Sequence, residues 1–227
     1  MIRLHITAEG QTEQNFVKRI LAPHLASFQV FVDARCVLTS KDKLTSREYR
    51  GGLLNYEKAQ KDIQAWIKED SRTDCRFTTM FDLYGLPNDF PGYAEAGKAA
   101  DPYERVRILE ENLAQSINDG WFIPYIQLHE FEALILAAPQ SLDQEYLEHD
   151  APIKMLVEMV GDQNPELIND GSATAPSKRI LSQIPEYRKT TAGVSVVENI
   201  GLSTLRAKCR HFNEWLSRLE LLSGGAQ

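Results

Sequence analysis

The sequence predicts an α/β fold: a mostly parallel sheet flanked by helices, with a C-terminal helical extension. Two observations predict it. Strand-length apolar runs alternate with segments of helical periodicity over the first part of the chain, and from His129 onward the strand signal fades and helical patterns take over. The expected division is an α/β core over residues 1–140 and a helical extension packed on it over 141–227.

Ile2 to Thr7 alternates apolar and polar side chains and reads as the first strand. From Thr12 to about Leu25, Phe16, Ile20 and Leu21 fall at helical spacing. Gln29 to Leu38 reads as a second strand, followed by a polar loop, TSKDKLTSREYRGG. Tyr56 to Glu69 is a helix with Ile63, Trp66 and Ile67 on one face. Arg76 to Phe81 is a third strand ending at Asp82. The Pro/Gly loop LYGLPNDFPGY, a helix from about Pro102 to Ile117 and a fourth strand in FIPYIQL follow. Beyond His129, FEALILAA, IKMLVEMV, PSKRILSQI and LSTLRAKCRHFNEWLSRLELL all favour helix. In the last of these, Leu205, Cys209, Phe212, Trp215 or Leu216, and Leu219 recur every three or four residues, which gives one amphipathic helix of about five turns. Trp66, Trp121 and Trp215 are read as core residues.

Composition bounds the function classes. The chain has 227 residues, with 25 Lys plus Arg against 32 Asp plus Glu, 43% hydrophobic and 25% charged. These values exclude disordered and low-complexity classes. The three cysteines, Cys36, Cys75 and Cys209, are widely spaced and form no CxxC pair, so neither a disulfide framework nor a zinc site is expected from spacing. No signal-peptide layout and no apolar run of membrane-spanning length is present, so the expected location is the cytoplasm and no membrane partner is expected. Residues 171–227 carry 8 basic and 4 acidic side chains, opposite in balance to the acidic remainder.

In a parallel sheet each strand delivers its following loop to the same edge, where ligands bind. The first strand ends in AEGQTE, the third in FDLY and the fourth in LHEFE. Carboxylates thus gather at one edge, and grouped like charges require a cation or a shared proton. Glu9, Glu13, Asp82, Glu130 and Glu132 form the candidate metal-ligand set, and their hard oxygen donors favour Mg²⁺ or Mn²⁺. Glu9, Asp82 and His129 are the candidate catalytic residues, His129 as an acid/base or an orienting group. Alternative roles stay open: helix-dipole acids for Glu13, Glu130 and Glu132, and a turn residue for Asp82. Lys178 and Arg179, at a helix start, with Arg188 and Lys189 are candidate nucleic-acid contacts, although a solvated face explains Lys178 and Arg179 equally well.

EGQTE resembles the entry motif of Toprim domains, in the EGxTE form of the overcoming-lysogenization-defect (OLD-type) nucleases. Taken together in order, EGQTE, FDLYGLPNDFPG, HEFEALI, PSKRI and CRHFNEWL resemble the bacterial Toprim-like family numbered 4276 among the domains of unknown function. The resemblance implies a Toprim-like fold and a metal-dependent nuclease-type site acting on DNA or RNA, often encoded beside an ATPase in anti-phage defence loci. Glu9 and Glu13 match the two glutamates of the first motif, Asp82 the first aspartate of the Toprim DxD, and Glu132 or Glu130 the later acid. The chain departs from the pattern at Tyr84, which stands where DxD has its second aspartate. Asp89 or Glu130 is a possible replacement ligand, or the site no longer cuts. The functional expectation is a Mg²⁺-dependent (or Mn²⁺-dependent) nuclease, the effector partner of an ATPase. The alternative is a non-catalytic nucleic-acid-sensing subunit of such a complex, binding through Lys178, Arg179, Arg188, Lys189, Arg206, Lys208 and Arg210.

Overall fold

Central strands of a parallel sheet are apolar because helices cover both faces. In the computed structural model, which describes residues 1–41, 48–50, 52–168 and 174–224 (38–41 and 48–50 by backbone only), the first strand follows this rule. β1 (Ile2–Ala8) is buried along nearly its whole length, Leu4, Ile6 and Ala8 completely. Its polar positions His5 and Thr7 are buried too, so the alternation in the sequence marks two covered faces rather than one wet one.

β2 (Val30–Cys36) pairs parallel to β1 on one side, and β5 (Cys75–Asp82) pairs parallel to it on the other. A short β6 (Phe122–Ile123) continues beyond β5, again parallel, giving the order β2-β1-β5-β6. Between β2 and β5, β3 (Leu38–Lys41) and β4 (Glu48–Arg50) form a separate antiparallel pair in the stretch expected to be loop. Residues 42–47 and 51 of that stretch lie outside the described residues. The expected fourth strand is interrupted at Pro124, which lacks a ladder donor, so β6 ends at Ile123 and β7 is only Ile126–Gln127.

The helix after β1 runs from Gln11 to Ala26 but changes to a π-type turn over Val17–Leu21. Pro23, two residues beyond, has no N–H to donate to the Arg19 carbonyl inside that segment, so the regular ladder is broken there. Tyr56–Glu69 is helical as expected, started by Asn55, whose side chain accepts from Lys58 N at 3.1 Å. The helix Pro102–Ile117 is started by Asp101, which accepts from Tyr103 N at 3.0 Å, and ends at Asn118 in the left-handed region.

The chain forms two compact units, Met1–Ile126 with Arg218–Gln227, and Gln127–Ser217. The division therefore lies earlier than residue 140, and the described residues from Arg218 onward group with the α/β unit. The reason is local: His24 Nε2 meets Glu220 Oε1 at 2.6 Å, and Ser223 Oγ donates to Phe28 O at 2.7 Å. The second unit is helical, including Asp150–Val160, Pro176–Gln183, Val194–Ile200 and Leu202–Lys208. Phe131, Leu134, Ile135, Leu142, Ile180, Val197, Leu205 and Phe212 are fully buried within it.

The expected single C-terminal helix is two, Leu202–Lys208 and Arg210–Glu220, separated by an extended Cys209 (φ −113°, ψ 93°). Its periodic positions Leu205, Cys209, Phe212, Trp215, Leu216 and Leu219 are nonetheless all buried. Trp66 and Trp215 are core residues, whereas Trp121 is half exposed. The Arg76 guanidinium carbon stands over the Trp121 ring, 3.8 Å from its centroid. Among the described residues no helix is long and apolar enough to cross a membrane.

Candidate functional site

Because β1 and β5 are parallel and in register at Ala8 and Met80, the residues just beyond their C-terminal ends reach the same edge. Glu9 N continues the ladder to Met80 O at 2.9 Å, and the Glu9 carboxylate turns back to accept from Asp82 N at 2.9 Å through Oε2. A Cβ on Gly85 would lie 2.5 Å from that Oε2 and 2.7 Å from Glu9 Cδ, so the missing side chain makes the space that Glu9 occupies. Glu13, one turn into the first helix, accepts from Gly10 N at 3.0 Å. A Cβ on Gly10 would come within 3.2 Å of Glu13 Oε2. Glu13 and Asp82 are 3% and 5% exposed. The first unit therefore places two sequence-predicted acids, Glu9 and Asp82, in contact at neighbouring strand ends, and a third, Glu13, in the first turn of the helix that follows β1; among the described residues the three do not bring their oxygens together as closely as His5, Asp70 and Cys75 bring theirs. Glu9 and Glu13 are positioned by backbone N–H groups and glycine gaps.

This donor set suits a hard divalent cation. It offers only carboxylate oxygens, and a carboxylate has acceptor capacity beyond a single N–H. Tyr84 lies in the short turn Leu83–Gly85 and lines a pocket on the same unit. Asp89, the possible replacement for the second DxD aspartate, instead accepts from Tyr56 N through both oxygens at 3.1 Å. It caps the helix that begins there.

His129, Glu130 and Glu132 belong to the second unit. His129 is 3% exposed and holds a left-handed backbone (φ +61°), an uncommon conformation for a residue with a side chain. Glu130 Oε2 accepts from Ser177 N at 3.1 Å, so a carboxylate occupies the start of the helix Pro176–Gln183 where a phosphate was expected. Glu132 is 2% exposed, with Tyr187 Oη donating to Oε1 at 3.3 Å and Lys189 Nζ 3.7 Å from Oε2. Burial, and then the Glu132 charge, push the Tyr187 hydroxyl far up, so it stays a proton donor.

Of the candidate nucleic-acid residues, Lys178 and Arg188 are exposed. Arg179 is turned inward, Nε donating to Thr174 O at 2.8 Å and Nη1 to Met159 Sδ at 3.3 Å. Arg206 bonds Asn213 and Ser217, Arg210 pairs with Glu214, and Lys208 is exposed.

Sequence spacing did not reveal a buried group of metal-ligating residue types, His5, Asp70 and Cys75. These lie in the first unit, joined because β1 and β5 are neighbours. Asp70 pairs with Arg3, meets His5 Nε2 at 2.8 Å and receives Arg72 Nε at 2.7 Å. Burial raises the Asp70 carboxyl, but hydrogen bonds from Cys75 and His5 and the Arg3 charge outweigh it and hold it below the usual range. The Cys75 thiol is pushed up to about 12, by burial first and then by Asp70. Two guanidiniums already balance the carboxylate and the thiol keeps its proton, so this group is an ion-pair hub rather than a cation site.

The class is that of an α/β fold with a parallel sheet, with Glu9 and Asp82 in contact at neighbouring strand ends. The chain belongs to the family described as a domain of unknown function, DUF4276, which matches residues 8–220. Similar solved structures include the C-terminal region of the Xanthomonas campestris pv. campestris OLD protein phased with platinum, at 12% identity over 96% of this chain and 95% of that one, TM-score 0.40. The same region phased with iodine gives 13% identity over 96% and 97%, TM-score 0.41. A comparison with curated proteins gives no match.

Proposed function

We propose that the protein is a metal-dependent nuclease that hydrolyses phosphodiester bonds in DNA or RNA, the effector partner of an ATPase in bacterial anti-phage defence. The observation that supports it most is the hydrogen bond from Asp82 N to Glu9 Oε2, which couples the acids at two adjacent parallel strand ends. Glu9, Glu13 and Asp82 would hold Mg²⁺ or Mn²⁺. The expectation that Glu130 and Glu132 add to the ligands is carried as part of the proposal. When bound, the cation supplies Lewis-acid polarisation of a phosphoryl oxygen and a nucleophilic water. The residues' own work is positional: Asp82 N and Gly10 N fix the Glu9 and Glu13 carboxylates before any ligand arrives. His129 is carried as the proton-handling or orienting group, Lys178, Arg179, Arg188 and Lys189 as strand contacts. The ATPase partnership rests on the sequence resemblance, and a cytoplasmic location is carried as part of the proposal.

One observation favours the non-catalytic alternative: Glu130 and Glu132 already have partners in Ser177 N, Tyr187 and Lys189. Purified protein assayed on single- and double-stranded DNA and RNA with Mg²⁺, Mn²⁺ or EDTA separates the two. Cleavage that needs metal and disappears in Glu9→Gln and Asp82→Asn supports the nuclease. Binding without cleavage, unchanged in both variants, supports the sensing subunit.

A further inference from the structure

Immediately beside the carboxylate edge, the turn that carries Asp82 and Gly85 opens on a pocket of about 220 Å³ in the first unit. Its lining joins aliphatic Leu83, Ala96 and Leu109 to two tyrosines, Tyr84 and Tyr93, that are 37% and 38% exposed. Arg105 completes it. Among the described residues the Arg105 side chain makes one hydrogen bond, from Nη2 to Ala99 O at 3.1 Å. No carboxylate there pairs with it, and its Nε is buried with no acceptor. A part-buried guanidinium anchored at one nitrogen and lacking a counter-group is an incomplete arrangement, since such donors are normally satisfied.

The missing partner must present apolar faces to the tyrosine and leucine walls and an acceptor edge to the guanidinium. A nucleobase has both properties: unstacked bases stack on aromatic side chains, and arginine pairs with the O6 and N7 acceptors of guanine. The volume is below the about 300–1,000 Å³ of drug-sized sites, so it admits one ring system and not a length of strand. We infer that this pocket receives a single unstacked base of the nucleic-acid strand, with preference for guanine, next to the acids at Glu9 and Asp82. This deepens the nuclease reading and rests on it for the identity of the ligand. It also gives Tyr84 a role that a second DxD aspartate could not fill, that of an aromatic wall.

The probe is guanosine 5′-monophosphate, with ribose 5-phosphate as the base-free control, read by saturation-transfer difference NMR on the full chain in EDTA. The expected result is transfer strongest at the base H8 proton, none to ribose 5-phosphate, and binding weakened roughly 5- to 150-fold in Tyr93→Leu, the range for loss of one base-aromatic stack. Arg105→Lys, which keeps the charge but loses the fork, should weaken guanosine monophosphate more than uridine monophosphate. Equal transfer to ribose 5-phosphate would make this a phosphate site and overturn the inference, as would H8 transfer unchanged in both variants. Without metal no cleavage enters the readout. Loss of the pocket therefore leaves the nuclease reading standing, and failure of metal-dependent cleavage with H8 transfer intact sinks only that reading.

Discussion

Gly85 and Glu9 share one space: a Cβ at residue 85 would approach Glu9 Oε2 to 2.5 Å, closer than real side-chain contacts allow. Gly85→Ala must therefore displace either the carboxylate or the turn. The carboxylate is the far end of a flexible side chain, so it is the group that gives way, and the loss of stability should be small beside the loss of the Glu9 position. The measurement is cation titration alongside denaturant unfolding. The cation response should fall with little change in the unfolding midpoint, and a variant that matches wild type in its cation response would mean that Glu9 is held elsewhere.

Cation binding at Glu9, Glu13 and Asp82 should raise the melting temperature with Mn²⁺ or Mg²⁺. A ligand that binds only the folded state adds about 2.7 kcal/mol at a hundredfold excess over its dissociation constant. The shift should vanish in the double variant Glu9→Gln, Asp82→Asn. It should persist in Asp70→Asn, because the His5, Asp70 and Cys75 group is already balanced by Arg3 and Arg72. A shift lost only in the Asp70 variant would move the cation to that group.

How much was legible follows from how far each cause lies along the chain. The Glu9 and Asp82 neighbourhood was readable, because a parallel sheet brings consecutive strand ends to one edge whatever the intervening sequence. The helices Tyr56–Glu69 and Pro102–Ile117 were readable because apolar periodicity is local. Capping was not where the partner is remote: Asp89 caps a helix 33 positions earlier, and Glu130 caps one 47 positions later. The break at Cys209 has the same origin. Apolar periodicity continues through it, and no local residue signals that the Glu166 carboxylate, 45 positions before His211, accepts from the first N–H groups of the next helix. Trp121 misled because apolar neighbours in sequence do not reveal the guanidinium of Arg76 over its ring.

The Asp70 hub should make stability depend on acid. Its carboxyl is held below the ordinary 3.8, so the folded state favours the ionised form. That contribution is fully present above the ordinary value and is lost as pH falls through the lowered one. Thermal melts between about pH 5 and pH 2 should show a decline below about pH 4 that is shallower in Asp70→Asn. Parallel curves for the two proteins would assign the acid sensitivity to other carboxylates.

Glu166 should stabilise the second unit by holding the start of a helix. It is completely buried, and its two oxygens accept from His211 N at 2.9 Å and Phe212 N at 3.0 Å, at the start of the helix Arg210–Glu220. Those N–H groups have no partners inside the helix, and the helix dipole adds to the attraction for a negative charge. Glu166→Gln keeps the shape but turns an amide N–H₂ toward one of the donors, so a loss of about 1–3 kcal/mol is expected. Glu166→Ala should lose more, because both donors are then unsatisfied beside a cavity. Amide hydrogen exchange at His211 and Phe212 should accelerate in both variants before global unfolding. The Cys209 thiol, raised by burial and then by the Glu166 charge, should titrate lower in the Gln variant. If Glu166→Ala unfolds at the wild-type denaturant midpoint with unchanged exchange at these two amides, then Glu166 does not hold the helix start, and the break at Cys209 has another cause.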